Sequence, residues 1–240
     1  MFTTFILSEF KKWTRDSLTL FMVIYPVIFA LIGRYLLPWA DENTAFSLAL
    51  FGDFAMAALA LLTPMIFGAL MGFSILDDRD DGILSAIRVS PLSLGGFLAF
   101  RVVLVTVLAF FAGFVVMLAA DFGPLTLGQI LVIAGVNSLS ATITGFLINA
   151  FANNKIEGFA VMKGAGTLLI FPVVALGFTD AREFIFAIVP GFWPAKAISV
   201  LFRGEGVLNL SYEMYLVLGL VYVLALNILV YRIFVKRTRL

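Results

Sequence analysis

The sequence contains no cysteine and no histidine among its 240 residues. Disulfide bonds, thiolate or imidazole metal sites and a histidine general base are therefore excluded. The sequence also lacks a GxxxxGK[ST] element, the phosphate-binding loop of P-loop ATPases. We expect a chain that is not itself an enzyme, with no catalytic residue, no metal site and no bound cofactor.

Charge is scarce as well. Charged residues make up 13% of the sequence, whereas 62% is hydrophobic and the mean hydropathy is +1.09. Soluble domains carry about twice that share of charge. The apolar runs do not alternate with polar residues as the strands of a membrane barrel do. The composition predicts an all-α polytopic membrane protein, and the scattered basic residues give no reason to expect nucleic acid as a partner.

The long apolar runs divide the chain into spans within one transmembrane domain, residues 1–240. Phe2, Ile6, Phe10 and Trp13 recur at helical spacing, which predicts an interfacial helix over residues 1–16. Six membrane-spanning helices are expected at about 18–39, 46–76, 97–120, 127–152, 159–178 and 212–235. The second would be about 45 Å long, which exceeds the hydrocarbon thickness.

The distribution of Lys and Arg predicts the orientation. With both termini inside, twelve of the 16 basic residues fall on the inner side. The four on the outer side are Arg34, Arg182, Lys196 and Arg203. This excess follows the positive-inside rule, so we expect both termini in the cytoplasm.

A charged segment interrupts the apolar pattern at residues 77–93. Its first six residues are Asp77, Asp78, Arg79, Asp80, Asp81 and Gly82. A segment this polar cannot cross hydrocarbon and must lie at the membrane surface. The continuation reads ILSAIRVSPLS, in which Ile83, Leu84, Ile87 and Leu92 fall roughly on one side of a short helical stretch.

A second unusual stretch covers residues 181–203 on the expected outer side. Its sequence FIFAIVPGFWPAKAISVLF is too apolar for a solvent loop, and Pro190, Gly191 and Pro194 interrupt any single helix. We expect a re-entrant helical hairpin before the last span, because backbone at membrane depth needs helical hydrogen bonds. A loop packed on the bundle is the alternative.

The segment DDRDDGILSAIRVSPLS is similar to the first cytoplasmic loop of type-2 ABC exporter permeases, where a charged pair precedes Gly-Thr, a short helix and a "vsPls" ending. Ile83 replaces the usual Thr and Asp81 the common Glu, whereas residues 89–93 match well. The interfacial helix, the six spans and IVPGFWPAKAI agree, so the resemblance covers nearly the whole chain. The opening FKKWTRDSLTLFMVIYPVIFALIGRYLLP also resembles drug-export permeases, including those of fluoroquinolone export.

The resemblance implies two permease chains, identical or related, in the bilayer of a prokaryotic plasma membrane. Each would pair with a separate ABC nucleotide-binding ATPase subunit that holds ATP and Mg. The helix from Ile83 to Val89 would be the coupling helix, seated in a cleft of the ATPase. The residues assigned to coupling are Asp77, Asp78, Arg79, Asp80, Asp81, Gly82, Ile83, Leu84, Ile87, Arg88 and Pro91. A solvated acidic turn without a partner is the alternative.

The fourth span carries two polar faces by helical spacing. One comprises Asn137, Ser140 and Thr144, and the neighbouring one comprises Ser138, Thr142 and Asn149. The first is our candidate substrate path, although such groups often only bond backbone or a neighbouring helix. On the outer side, Arg34 and Asp53 lie away from the span ends. Unpaired, each costs about 2.5–3.5 kcal/mol at mid-membrane, so we expect them to form an ion pair.

We therefore expect the membrane-spanning subunit of an ATP-driven exporter that moves a hydrophobic or amphipathic, drug-like molecule outward. ABC export of a lipid-linked glycan or an ion is an alternative. An ATP-independent secondary carrier is another. A carrier should show charged or unwound sites near the membrane midplane and repeated halves, and the sequence shows neither.

Overall fold

The computed structural model describes residues 2–89, 93–168, 170–204 and 206–238. Within these ranges every regular element is helical. Six helices are long and apolar enough to cross a membrane: Ser17–Asn43, Leu48–Asp80, Leu94–Ala120, Leu127–Phe151, Lys155–Ala175 and Tyr212–Arg237. The predicted all-α class with six spans is confirmed.

The helices follow one another with short connections. They are α1 Phe2–Arg15, α2 Ser17–Leu31, α3 Leu37–Asn43, α4 Leu48–Asp80, α5 Ile83–Arg88, α6 Leu94–Ala120, α7 Leu127–Ser138, α8 Ser140–Phe151, α9 Lys155–Leu168, α10 Ile170–Ala175, α11 Phe192–Arg203 and α12 Tyr212–Thr238. A π-helical turn, Ile32–Leu36, joins α2 to α3, and 3-10 segments cover Ala181–Ile188 and Val207–Asn209.

Two spans form the centre of the bundle. In α4 and in the α7–α8 span, 67% of the most apolar stretch is buried, whereas the other four spans bury between 17% and 28%. A buried span is surrounded by other helices of the protein, whereas an apolar span that stays exposed contacts lipid. The remaining helices therefore surround the α4 and α7–α8 pair.

Close approach of α4 and α8 depends on glycine. A Cβ atom at Gly68 would lie 2.2 Å from the Ala141 carbonyl oxygen, and one at Gly72 would lie 2.9 Å from Ile148 Cβ. Asn149 Nδ2 of α8 donates to the Gly72 carbonyl oxygen at 3.0 Å. Small residues let membrane helices approach until their backbones touch, which is the main source of their packing energy.

The first helix and the end of the last helix lie at the same end of the bundle, which we call the terminal end. Lys12 of α1 contacts Asp78 at the end of α4 at 2.7 Å. The Arg237 guanidinium lies 4.4 Å from the centre of the Phe151 ring, at the end of α8. The opposite end, the hairpin end, carries the 3-10 segment Ala181–Ile188 and α11. These two arms, joined by residues 189–191, form the expected helical hairpin.

The fourth span has a turn at Leu139, between α7 and α8, where the backbone keeps right-handed helical angles, φ −64° and ψ −20°. The Leu139 carbonyl oxygen accepts hydrogen bonds from Thr142 Oγ1 at 2.9 Å and from Asn227 Nδ2 of α12 at 3.0 Å. Polar side chains inside a membrane require such partners, because hydrocarbon offers none. The hydrogen bond from Asn227 therefore joins the fourth span to the last span.

The contact at Gly68 predicts a specific loss of stability. Gly68→Ala should destabilise the protein by about 1–3 kcal/mol, because the added Cβ forces α4 away from the α8 backbone. Gly135→Ala in α7 is the matched control, since a Cβ there meets no described atom within 4 Å. Thermal unfolding in detergent should show a lower Tm for the first variant alone. Equal Tm values for both variants would contradict the close packing.

Candidate functional site

A cavity of about 330 Å³ lies at the middle of the bundle. Asn137, Ser140 and Thr144, the polar face predicted on the fourth span, all line it. The rest of the lining comes from α4, α8, α9, α10, α12 and the hairpin and is apolar. We call this space the central cavity. Its size and composition resemble those of small-molecule sites, which are mostly apolar with a few polar groups.

Some polar atoms on the wall of the central cavity have hydrogen-bonding capacity left. Asn137 Nδ2 donates to the Ala60 carbonyl oxygen at 2.6 Å. Asn137 Oδ1 and Ser140 Oγ are buried and have no hydrogen-bond partner among the described residues. An unmet buried polar group costs about 1–3 kcal/mol.

The tip of the hairpin closes the central cavity toward the hairpin end. Residues 188–191 belong to its lining. A Cβ at Gly191 would lie 3.0 Å from Leu61 Cδ2 and 3.2 Å from Pro172 Cγ, so the tip fits tightly between α4 and α10. Any molecule leaving the cavity in this direction must displace the hairpin.

The hairpin is held by a buried ion pair that the sequence analysis missed. Lys196 Nζ of α11 lies 2.5 Å from Glu183 Oε2, and Tyr215 of α12 donates to Glu183 Oε1 at 2.5 Å. The Glu183 side chain is fully buried. Lys196 Nζ also donates to the Phe178 carbonyl oxygen at 3.1 Å. The sequence did contain a signal for this pair, since Glu183 and Lys196 both lie in the apolar stretch 181–203. Buried charges usually occur in pairs, so the two residues could have been predicted to contact each other.

At the terminal end, α5 extends the chain beyond α4. Leu84 and Ile87 are buried against the bundle, whereas Ile83 is 38% exposed and Val89 is 90% exposed. Gly82 supplies the left-handed backbone, φ 71°, that turns the chain from α4 into α5. The candidate coupling helix thus has one attached face and one free face.

The remaining candidate coupling residues divide into two groups. Asp80 and Asp81 are exposed. Arg79 is directed inward, and its guanidinium donates to the carbonyl oxygens of Asn149 and Ala152 at 3.3 Å each. Pro91 and the side chain of Arg88 lie outside the described residues.

Asp78 belongs to a buried charge cluster instead of a free acidic turn. Its carboxylate lies 2.7 Å from Lys12 Nζ and 2.5 Å from Arg101 Nη2, and Arg101 also contacts Glu9 at 2.6 Å. The cluster joins α1, α4 and α6. Sequence reasoning missed it, although Glu9 lies on the apolar face of α1, three residues after Ile6. An acid on an apolar face requires a partner.

Lys155, at the start of α9, connects two further carboxylates. Its Nζ lies 3.0 Å from Asp77 Oδ1 and 3.1 Å from Asp16 Oδ2. Partial burial acts to raise the pKa of Asp16, but hydrogen bonds from Lys155 and from the Leu18 N–H outweigh it. The pKa of Asp16 therefore lies below its ordinary value, and the contact with Lys155 persists in neutral solution.

The predicted ion pair between Arg34 and Asp53 is wrong. Arg34 contacts Asp121 at 2.5 Å, and Asp53 contacts Arg203 at 2.8 Å and accepts a hydrogen bond from Ser199 at 2.8 Å. The reason lies in helix packing at this end of the bundle.

The two faces that carry Arg34 and Asp53 point to different neighbours. A Cβ at Gly33 would lie 2.7 Å from Ala120 Cβ of α6, and one at Gly52 would lie 2.8 Å from Phe202 Cε1 of α11. The π-helical turn therefore meets the end of α6, whereas the start of α4 meets α11. Helical periodicity defines the faces of a helix but not which helix covers them.

Double-mutant cycles should detect the corrected pairing. Asp53→Asn and Arg203→Gln should be non-additive in unfolding free energy, with a coupling of about 0.5–3 kcal/mol, because the two side chains share one contact. The cycle of Asp53→Asn with Arg34→Gln should be additive within about 0.5 kcal/mol. Coupling to Arg34 in place of Arg203 would reverse the assignment.

The charge cluster at the terminal end should be costly to break. Arg101→Gln leaves Glu9 and Asp78 buried without their cation, which should destabilise the protein by about 3–5 kcal/mol. Arg182→Gln is the control, because its ion pair with Asp180 is exposed on the surface. Surface pairs contribute about 1 kcal/mol or less. Chemical unfolding of both variants in the same detergent measures the difference, and similar losses would contradict the buried cluster.

Comparison with known proteins identifies the family of this chain. A family model described as "Fluoroquinolones export permease protein Rv2686c-like" matches residues 9–231. Two relatives from Mycobacterium tuberculosis are each 34% identical over 236 residues, covering 95% of this chain and 91% of the relative. They are Fluoroquinolones export permease protein MT2760 of strain CDC 1551 / Oshkosh and Fluoroquinolones export permease protein Rv2686c of strain ATCC 25618 / H37Rv.

No solved structure matches the chain. The family match confirms the resemblance to drug-export permeases that the opening segment indicated, and the six spans confirm a multi-pass membrane protein. The chain belongs to the Rv2686c-like family of fluoroquinolones export permeases.

Proposed function

We propose that this chain is the permease subunit of an ATP-driven exporter in a prokaryotic plasma membrane, with both termini in the cytoplasm. A separate ABC ATPase binds ATP and Mg and docks at the terminal end. A second permease chain, a copy or a relative, completes the transporter. The excess of basic residues on the terminal side supports this orientation.

The observation that carries the proposal is the continuity of α4. This helix has 33 residues and is therefore about 50 Å long. At the terminal end it leads through Gly82 into the exposed α5, and near its middle Leu61 and Met65 line the central cavity. Closure of an ATPase against α5 would tilt α4 and change the cavity wall. ATP-driven transport requires such an element with two arrangements, biased by nucleotide.

The buried charges make α5 and α4 suitable for this role. The cluster around Asp78 joins the end of α4 to α1 and α6, and the contacts of Arg79 join it to the end of α8. A displacement of α5 therefore moves several helices together. Asp77 and Asp78 act by positioning α5, while Ile83 and Val89 offer apolar contact to the ATPase.

The cargo we propose is an amphipathic aromatic molecule of the size of a fluoroquinolone. The names of the relatives support this class. The central cavity, at about 330 Å³, has room for such a molecule but not for a lipid-linked glycan. None of the described residues that line it is ionisable, which disfavours an ion as cargo.

A secondary carrier remains the second candidate. Carriers often have an unwound segment near the membrane midplane, whereas Leu139, between α7 and α8, keeps right-handed helical angles, φ −64° and ψ −20°. Carriers also place ionisable groups beside the substrate to couple its movement to protons or cations. The described lining of the central cavity holds no such group, so the ATP-driven function is favoured.

The test is reconstitution of the chain with its ATPase in proteoliposomes. Vanadate-sensitive ATP hydrolysis and outward transport of norfloxacin should both require the two proteins. Val89→Asp should weaken docking of the ATPase by about 2 kcal/mol or more, the scale of an interface hot spot, without lowering Tm. ATP hydrolysis stimulated by the chain and norfloxacin export should fall together.

Leu208→Asp is the matched control, because Leu208 is 71% exposed but lies at the hairpin end. This variant should hydrolyse ATP and export norfloxacin like the wild type. Export that continues without the ATPase, driven by a proton gradient, would favour the carrier and overturn the proposal.

A further inference from the structure

A second opening lies on the surface of the bundle, between α6, α8 and α12. It is a groove of about 390 Å³ that runs from Gly95, near the start of α6, to Leu139, between α7 and α8. We call it the lateral groove. The residues that matter for its chemistry are Gly95, Ala99, Val102, Thr106, Thr142 and Asn227.

The lateral groove and the central cavity lie on opposite sides of one helix interface, that between α8 and α12. On α8, Thr142 lines the groove and the next residues, Ile143 and Thr144, line the cavity. On α12, Asn227 lines the groove and Leu226 lines the cavity. Only the thickness of this interface separates the two spaces.

Polar contacts and aromatic packing hold the α8–α12 interface. Thr142 Oγ1 hydrogen-bonds to Asn227 Oδ1, and Asn227 Nδ2 donates to the Leu139 carbonyl oxygen at 3.0 Å. The rings of Phe146 on α8 and Phe234 on α12 pack with their centres 5.1 Å apart. Separating α8 from α12 breaks both kinds of contact, and an amphipathic aromatic molecule can replace both as it passes.

Exposed, mainly apolar side chains border the mouth of the lateral groove, as expected of a surface in contact with lipid. The neighbouring side chains of Val103, Ile228 and Tyr231 are 60%, 57% and 43% exposed. In the proposed orientation, Gly95 and Tyr231 lie in the cytoplasmic half of the membrane. The walls are apolar, but Thr106, Thr142 and Asn227 add polar groups within the groove. An acyl chain cannot hydrogen-bond to these polar groups, whereas an amphipathic aromatic molecule can contact both the apolar walls and the polar groups.

We infer that the lateral groove takes up the exported amphipathic molecule from the cytoplasmic leaflet and passes it to the central cavity between α8 and α12. This inference rests on the proposed function. It assigns to the chain a second binding site for the same cargo, on the lipid side of the bundle. The cargo reaches the central cavity from the membrane and not from the cytoplasmic solution.

A labelling experiment tests binding without transport. The sequence has no cysteine, so Ala99→Cys introduces the only thiol. In proteoliposomes that contain the chain and its ATPase, norfloxacin at about ten times its Kd should slow modification by N-ethylmaleimide about tenfold. Val103→Cys, on the same helix but outside the groove, should react at an unchanged rate. Equal rates with and without norfloxacin at Ala99→Cys would overturn the inference.

A second copy of the chain could instead cover the groove. In that case Ala99→Cys would be protected without norfloxacin, and dilution of the protein in the bilayer would remove the protection. That result would also overturn the inference.

An export experiment separates the inference from the proposed function. Ala99→Trp fills the groove and should lower norfloxacin export at low concentration about tenfold, whereas Val103→Trp should change it less than about twofold. Ser140→Leu fills the central cavity and should also lower export. If Ser140→Leu exports normally, the proposed function fails. If Ser140→Leu lowers export but Ala99→Trp behaves like Val103→Trp, the function stands and the lateral groove has no role.

Discussion

Hydrocarbon offers no partner to a polar group, and this constraint explains most of the unusual features of the bundle. The Leu139 carbonyl oxygen, between α7 and α8, accepts a hydrogen bond from Asn227 of another span. Glu183 is fully buried only because Lys196 and Tyr215 contact it. Arg101 and Asp78, each almost completely buried, lie 2.5 Å apart. Each of these contacts joins segments distant in sequence. Buried polar groups that would destabilise the fold if they were unpaired therefore help to determine which helices associate.

The buried ion pairs among the described residues lie toward the two ends of the bundle. At the terminal end, carboxylates and amines join α1, α4, α6 and α9 into one rigid set. At the hairpin end, Asp53 pairs with Arg203 and Glu183 with Lys196, so α4 and the first arm of the hairpin, Ala181–Ile188, are both attached to α11. Between them lies the central cavity, lined by apolar side chains and a few hydroxyl and amide groups. A movement at one end of the bundle is therefore transmitted to the other end by displacement of the helices that connect the two ends.

This arrangement fits the proposed role, in which the chain supplies a path and a partner supplies the energy. The central cavity is closed toward the hairpin end by residues 188–191 and adjoins the lateral groove on the surface of the bundle. On the proposed route, outward transport needs two movements, separation of α8 from α12 and displacement of the hairpin tip. α4 contacts α8 through Gly68 and α11 through Gly52. We propose that a displacement of α5 is transmitted by α4 to both of these helices.

The sequence by itself determined the features that depend on local composition. Apolar runs of sufficient length predict six spans, the prolines at 190 and 194 predict a broken segment, and helical spacing places Asn137, Ser140 and Thr144 on one face. The segment that resembles a type-2 permease loop is likewise visible from its residues alone. Each of these inferences needs only the order of neighbouring residues along one helix.

Only the tertiary structure decided which faces meet. Arg34 and Asp53 occupy adjacent spans, yet one pairs with Asp121 and the other with Arg203. Glu9 and Arg101, 92 residues apart, contact each other. The reason is physical: spacing along a helix defines the direction of a side chain, but its partner depends on how closely glycines such as Gly68 allow particular helices to pack. Which helix covers a given face therefore depends on the packing of the whole bundle, because each span can contact only a few neighbouring spans.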